Sequence, residues 1–260
     1  MPELLKPPIM MIGPCSVESR GQLLQTVAGA KERGISIIRG GLFKPRTAPG
    51  FEGLGLTAAP WVAEVTNEGI TFGTEALLPD NVSDLIEAVE RDGGDPAHLL
   101  FWLGSRNQNH VIQRGIAQRV MKEAEPNVML MIKNQPWGDE NHWLGIVEHV
   151  LQTGFPSERV ALIHRGFSPY GRENSDNMRN PADFEMAMRV REKTHLPMLL
   201  DPSHIAGSVV NVFKVVEKAK KYNFDGLIIE VHPNPDGAQT DKNQQLDFNG
   251  LDKLLSIATL

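Results

Sequence analysis

Eight short runs rich in isoleucine, valine and leucine recur along the 260-residue chain, and each is followed by a stretch whose apolar residues have helical spacing. Residues 9–15, 35–40, 70–75, 99–104, 128–133, 160–165, 198–201 and 226–231 read as strands buried on both faces, as parallel strands are. Helices are expected over 21–33, 58–67, 81–91, 111–123, 140–152, 181–193, 209–222 and 250–257. Gly34, Gly69 and Gly154 stand where a helix needs a left-handed stop, and Pro181 suits a first helical turn. Eight β-then-α units with short connections predict an α/β fold, a single (β/α)8 TIM barrel; an open doubly wound sheet is the other arrangement that accommodates them. No linker, low-complexity run or charge block divides the sequence, so residues 1–260 are read as one catalytic domain.

Charge narrows the ligand. With 26 Lys and Arg against 32 Asp and Glu, the formal charge is −6, which argues against a protein that neutralises a nucleic-acid backbone. Any phosphate bound is expected to be small. One cysteine allows no intrachain disulfide, and the sequence shows neither a signal-peptide pattern nor a membrane-length apolar span. The expected location is therefore the cytoplasm, with no membrane partner.

Barrel enzymes build their sites at the C-terminal ends of the strands, and that is where reactive residue types gather here. Closure makes strand 8 the neighbour of strands 7 and 1, so Cys15, His204, Glu230 and, from the following loop, Asp241 are brought toward one point. Taken singly, each has an ordinary reading: a small buried hydrophobe, a structural histidine, a solvated carboxylate. Together, a thiolate, an imidazole and two carboxylates suit a first-row divalent ion such as Mn, Fe, Co or Zn better than calcium or magnesium. Across the rim, Arg106, Lys133 and Arg165 fall on adjacent strands, a set that repels itself unless an anion such as phosphate lies between. The competing reading pairs each with a local acid such as Glu75. A second cationic group, Arg39, Lys44, Arg46 and Thr47, sits on a loop shaped by Pro45 and Gly40-Gly41 and suits another phosphate.

Seven ordered segments then resemble a known family: Gly13-Pro14-Cys15-Ser16, Arg39-Gly40-Gly41 with Lys44-Pro45-Arg46-Thr47, Gly104-Ser105-Arg106, Lys133-Asn134, His164-Arg165-Gly166, Asp201-Pro202-Ser203-His204, and Glu230-Val231-His232-Pro233 through Asp241. They resemble the 3-deoxy-D-arabino-heptulosonate 7-phosphate (DAHP) synthases, in the compact branch that also includes octulosonate phosphate synthases. The likeness spans nearly the whole chain. It implies a divalent metal on Cys15, His204, Glu230 and Asp241. Phosphoenolpyruvate would lie on Arg106, Lys133 and Arg165 with Arg39 and Lys44, and Ser105 belongs to the same substrate set. Erythrose 4-phosphate would face Arg46 and Thr47. The implied reaction joins these substrates with water to give DAHP and phosphate, the first step of the shikimate pathway. Lys44 is the preferred proton donor, Glu75 or a water on the metal manages the attacking water, and His204 acts through the metal.

The sister octulosonate enzymes typically carry Ala-Asn-Arg-Ser where this chain has Lys44-Pro45-Arg46-Thr47, which favours the four-carbon aldose. The chain departs from the family at Ala48-Pro49-Gly50-Phe51, where Ser-Pro and an aromatic are usual, and at Ser105, where alanine is commoner. Lys133-Asn134-Gln135-Pro136 and His164-Arg165-Gly166-Phe167-Ser168 look like a sub-branch fused to chorismate mutase. The span from the first strand to Leu260 is read as leaving room for neither that domain nor a ferredoxin-like regulatory one. A homo-oligomer is expected, with Trp61, Trp102, Trp137 and Trp143 as contact groups or core, and a separate chorismate mutase is a candidate partner. Two alternatives stand beside this reading: an octulosonate 8-phosphate synthase using arabinose 5-phosphate, and an inactive barrel that serves as a mutase-binding partner.

Overall fold

The computed structural model describes residues 6–44, 50–170, 174 and 176–258. Eight parallel strands pair in sequence order: β1 (Ile9–Gly13), β2 (Ile37–Arg39), β3 (Thr71–Ala76), β4 (Leu99–Leu103), β5 (Met129–Lys133), β6 (Val160–His164), β7 (Met198–Leu200) and β8 (Gly226–Glu230). β8 pairs with β1 and closes a (β/α)8 barrel. Around it lie α1 (Arg20–Lys31), α2 (Ala59–Asn67), α3 (Asp80–Arg91), α4 (His110–Glu123), α5 (Glu140–Leu151), α6 (Phe184–Thr194), α7 (Pro202–Ala206), α8 (Val209–Ala219) and α9 (Phe248–Ile257). Among the described residues, no helix is long and apolar enough to cross a membrane.

The helix starts follow from short polar caps. Ser19, Asn109, Asp139, Asp183 and Asp247 each turn a side-chain oxygen onto a backbone N–H of the following first turn, satisfying donors that the helix itself leaves open. This corrects one expectation. α6 begins at Phe184 rather than at Pro181, because Asp183 accepts from the Met186 N–H while the Pro181 carbonyl accepts from Phe167 N. The left-handed stops at Gly34, Gly69 and Gly154 are present, with φ of 70°, 75° and 88°. α7 was not expected from periodicity, being only five residues long; Asp201 caps it and Gly207 ends it.

Two apolar cores share the strands, because successive side chains point to opposite faces. The outer core lies between sheet and helices and includes Leu23, Ile38, Phe72, Phe101, Leu130 and Leu162. The inner core fills the barrel with Ile9, Met11, Ile37, Leu100, Trp102, Met129, Met131, Ala161, Ile163, Leu199 and Ile228. Burying each larger side chain contributes about 1.5–3 kcal/mol, so the barrel is a packed core and not a channel. Trp102 and Trp143 are part of these cores, whereas Trp137 is 45% exposed.

Candidate active site

One inward-facing step beyond the inner core, the chemistry of the barrel lining changes. Ile37 is followed on that face by Arg39, Met131 by Lys133, Ile163 by Arg165, Leu199 by Asp201 and Ile228 by Glu230. Strand alternation therefore delivers five charged side chains to one end of the barrel, the C-terminal end. Most expected strands end one or two residues early here, since their last residues turn to other partners: Cys15 N donates to Gln245 Oε1 at 2.9 Å, and Arg165 N to Asn134 Oδ1 at 2.8 Å. Gly13 has φ of 146°, and a Cβ there would lie 2.1 Å from the Arg39 carbonyl oxygen, so only glycine lets β1 approach β2 so closely.

At the junction of β1 and β8, Cys15, Glu230 and Asp241 each place a donor atom within 4.8 Å of the others. The Cys15 thiol donates to Asp241 Oδ2 at 3.2 Å, and Lys44 Nζ lies 2.9 Å from the sulfur. His204 stands beside this group, its Nε2 3.6 Å from Glu230 Oε1, without entering the same 4.8 Å cluster. Burial, reinforced by the charge of Glu230, pushes the thiol up to about 12. Burial also opposes the ionised form of Glu230, but His204 and Arg39 outweigh it and hold the carboxyl below its ordinary value. Burial lowers the His204 imidazole, which favours the uncharged ring whose Nε2 can serve as a ligand.

The donor set fits a divalent cation on an observation independent of its residue types. Glu230 Oε2 accepts from Gln244 Nε2 at 2.5 Å, whereas Oε1 is buried without a hydrogen-bond donor among the described residues. Arg39 Nη2 lies 3.1 Å from that oxygen as a charge contact, outside hydrogen-bond geometry. A buried carboxylate oxygen left without a donor is costly, and a metal ion would satisfy it.

On the opposite side of the rim, Lys133 Nζ donates to Asp201 Oδ2 at 2.9 Å and sits 5.5 Å from the Trp102 ring centre; the Arg39 guanidinium lies at the same distance from that ring. Burial pushes Arg165 down to about 10, with the charges of Arg179 and Arg106 adding to the effect against Asp201. Arg106 itself is exposed. Glu75 accepts from Trp102 Nε1 at 3.3 Å and leans over Gly104, where a Cβ would be 1.9 Å from Oε1. Ser105 is buried and its hydroxyl has no hydrogen-bond partner among the described residues. The acid that pairs with Lys133 is thus Asp201 and not Glu75. Arg46 and Thr47 lie outside the described residues.

Three participants were given no role in the sequence reading, although Asp201 was named there in the segment that ends strand 7. Asp201 carried a signal, since an aspartate three residues before a histidine has cap spacing. Arg179 and Gln244 carried none, lying in irregular loops. Arg179 Nη1 donates to Asp241 Oδ1 at 2.9 Å and to Gln244 Oε1 at 2.8 Å, holding the loop carboxylate in place. Beside them opens a cavity of about 450 Å³ lined by Arg179, Gly207, Ser208, Asn211 and Asp241. A larger one, about 760 Å³, lies at the other end of the barrel by Lys6, Ile35 and His98, away from these groups.

Residues 6–91 and 104–259 match the model of the DAHP synthetase I family. The chain is 30% identical over 241 residues to phospho-2-dehydro-3-deoxyheptonate aldolase of Thermotoga maritima, covering 92% of this chain and 65% of that protein. It is 25% identical over 278 residues to 2-dehydro-3-deoxyphosphooctonate aldolase of Francisella tularensis subsp. mediasiatica, covering 97% and 90% respectively. Among solved structures, the Thermotoga maritima phospho-2-dehydro-3-deoxyheptonate aldolase superposes with a TM-score of 0.79 at 29% identity, over 95% of this chain and 66% of that one. A truncated form of 3-deoxy-D-arabino-heptulosonate 7-phosphate synthase from the same organism gives 0.76 at 27% identity, over 95% and 83%. This chain thus spans just under two thirds of the full-length Thermotoga protein.

Proposed function

The chain belongs to the DAHP synthetase I family, and from that premise we propose that it condenses phosphoenolpyruvate with erythrose 4-phosphate and water, releasing DAHP and phosphate. The observation that carries the reading is the meeting, on one barrel rim, of a thiol-and-carboxylate group holding an orphaned oxygen with a buried cationic group. Cys15, His204, Glu230 and Asp241 would hold a divalent ion, Mn, Fe, Co or Zn, which when bound supplies Lewis acidity toward the aldehyde of the aldose.

The chain's own residues do the rest. Lys133, Arg165 and Arg106, with Arg39 and the unpaired Ser105 hydroxyl, bind the anionic groups of phosphoenolpyruvate and stabilise charge as it shifts during reaction. C3 of phosphoenolpyruvate forms the new bond to the aldehyde carbon, water adds at C2, and phosphate departs with cleavage of its C–O bond. Lys44, a cation beside the Cys15 sulfur, would give a proton to the nascent alkoxide, and Glu75 or a water held by the metal would manage the attacking water. Arg46 and Thr47 are assigned to the aldose phosphate. Homo-oligomeric assembly is part of the same reading, with the exposed Leu78 and Trp137 on rim loops as contact groups, and so is a cytoplasmic location.

The Francisella relatives favour a second aldose, arabinose 5-phosphate, since the alignment covers 90% of their length. The higher identity to the heptonate enzyme and the Lys44-Pro45-Arg46-Thr47 sequence favour erythrose 4-phosphate. Phosphate release from phosphoenolpyruvate, measured with each aldose before and after chelation and after adding back Mn²⁺, decides between them. Release is expected with erythrose 4-phosphate, lost on chelation and restored by the ion. Release only with arabinose 5-phosphate, or release indifferent to chelation, overturns the reading.

A further inference from the structure

We propose that Asp201 is a positioning residue that couples the metal ligands to the phosphoenolpyruvate subsite, so that each ligand strengthens the binding of the other through one shared carboxylate. The inference rests on the reading above and adds a device to it. Asp201 is fully buried, and its carboxylate faces two groups at once: Oδ2 accepts from Lys133 Nζ at 2.9 Å, while His204 Nδ1 is hydrogen-bonded to Oδ1 at 3.0 Å and lies 2.8 Å from Oδ2. Its Oδ1 accepts from the His204 backbone N–H at 3.1 Å. Lys133 has no other acidic contact among the described ion pairs, and His204 directs its remaining nitrogen toward Glu230.

The consequence is a competition for the charge of one carboxylate. An anion arriving at Lys133 draws the ammonium donors to itself and leaves more of the carboxylate charge on the His204 N–H. That makes the opposite ring nitrogen a better ligand, as carboxylate partners of metal-bound histidines do. A cation on His204 polarises the ring, draws Asp201 the other way and frees Lys133 for the anion. Thermodynamic linkage requires the two effects to be equal.

Asp201 also caps α7, so a structural role must be separated from coupling. Asp201→Asn does this, because asparagine caps a helix as well as aspartate while lacking the charge. Mn²⁺ affinity of the metal-stripped full chain is measured by equilibrium dialysis with and without phosphoenolpyruvate, folding being checked by circular dichroism. D201N is expected to weaken Mn²⁺ by about 10- to 100-fold and to remove most of a wild-type coupling of about fivefold or more.

Lys133→Met supplies the opposite sign: it hands the whole carboxylate to His204, so Mn²⁺ binds more tightly when phosphoenolpyruvate is absent. In the D201N background the same replacement should change nothing. If K133M tightens Mn²⁺ equally with and without Asp201, the effect is simple removal of a nearby cation and the shared-carboxylate proposal fails. It fails too if D201N binds Mn²⁺ as wild type does. Should D201N not fold, Asp201→Ser, which keeps a capping oxygen, takes its place. Turnover is read separately: a wild-type chain that shows the coupling but releases no phosphate with either aldose counts against the reaction alone, and an active chain without the coupling counts against this proposal alone.

Discussion

Below the rim the barrel is lined by Met11, Ile37, Met131, Ile163, Leu199 and Ile228; one step further along the same inward face stand Arg39, Lys133, Arg165, Asp201 and Glu230, and Cys15 stands two steps beyond Met11. Both layers are buried and both are set by the same alternation. They differ in what burial does to them. For the lower layer, removal from water is the stabilising contribution; for the upper, it is a cost that only mutual pairing, or a bound ligand, offsets. The orphaned oxygen of Glu230 and the unpaired Arg39 Nη1 and Ser105 hydroxyl mark where the offset is incomplete without a ligand. The lower layer therefore holds the upper one in a geometry that it would not choose for itself.

That contrast is broken most directly at Cys15. Cys15→Ser should lose Mn²⁺ on dialysis and lower kcat/KM by about 10²- to 10³-fold, with the thermal midpoint nearly unmoved. A parallel collapse of stability would show that the rim supports the fold after all. Met131→Ala tests the other side: unfolding in urea should show a loss of about 2–5 kcal/mol, while the KM values of the remaining folded enzyme stay as they were. A mutant that kept its stability and lost phosphoenolpyruvate binding would erase the distinction between layers.

His164 sharpens it from outside the wall. Its ring is fully buried against Trp143 and Phe167, Nε2 accepts from Asp183 N at 3.1 Å, and burial followed by the charge of Arg165 pushes it down to about 3. Below its unfolded value near 6.5 the unfolded chain binds a proton that the folded chain refuses, so stability falls as pH drops through that window. Between pH 7 and 5 this amounts to about 2 kcal/mol. His164→Gln, which keeps an acceptor for Asp183 N, should flatten that acid limb in urea titrations at the two pH values; an unchanged slope would assign the acid loss to the rim charges instead.

The barrel was legible because its signal is repeated: eight apolar runs must each find a sheet position, and errors of one or two residues at their ends do not change the order. The rim was legible wherever a chemically distinctive residue ended a strand, as Lys133 and Glu230 do. Pairing was not. That Lys133 answers to Asp201 rather than Glu75 depends on which side chains tilt inward across the barrel, a distance that strand order does not encode. Arg179 and Gln244 were invisible because their loops have no period, and their positions follow from contacts with Asp241, itself at a positive φ of 47°. α7 lay hidden because five residues are too few to show a helical repeat.

Closure of the barrel between β1 and β8 has a consequence for how the protein is made. Cys15 meets Gln245 and Asp241 across 230 and 226 positions of sequence, so its surroundings do not exist while those residues are still inside the ribosome. A nascent chain with seven strands in place carries the cysteine and the basic rim but lacks Glu230. Contacts of such separation form late and slowly. Any cation taken up by this set would thus meet it only after the last strand has docked, and metal loading would follow folding instead of seeding it.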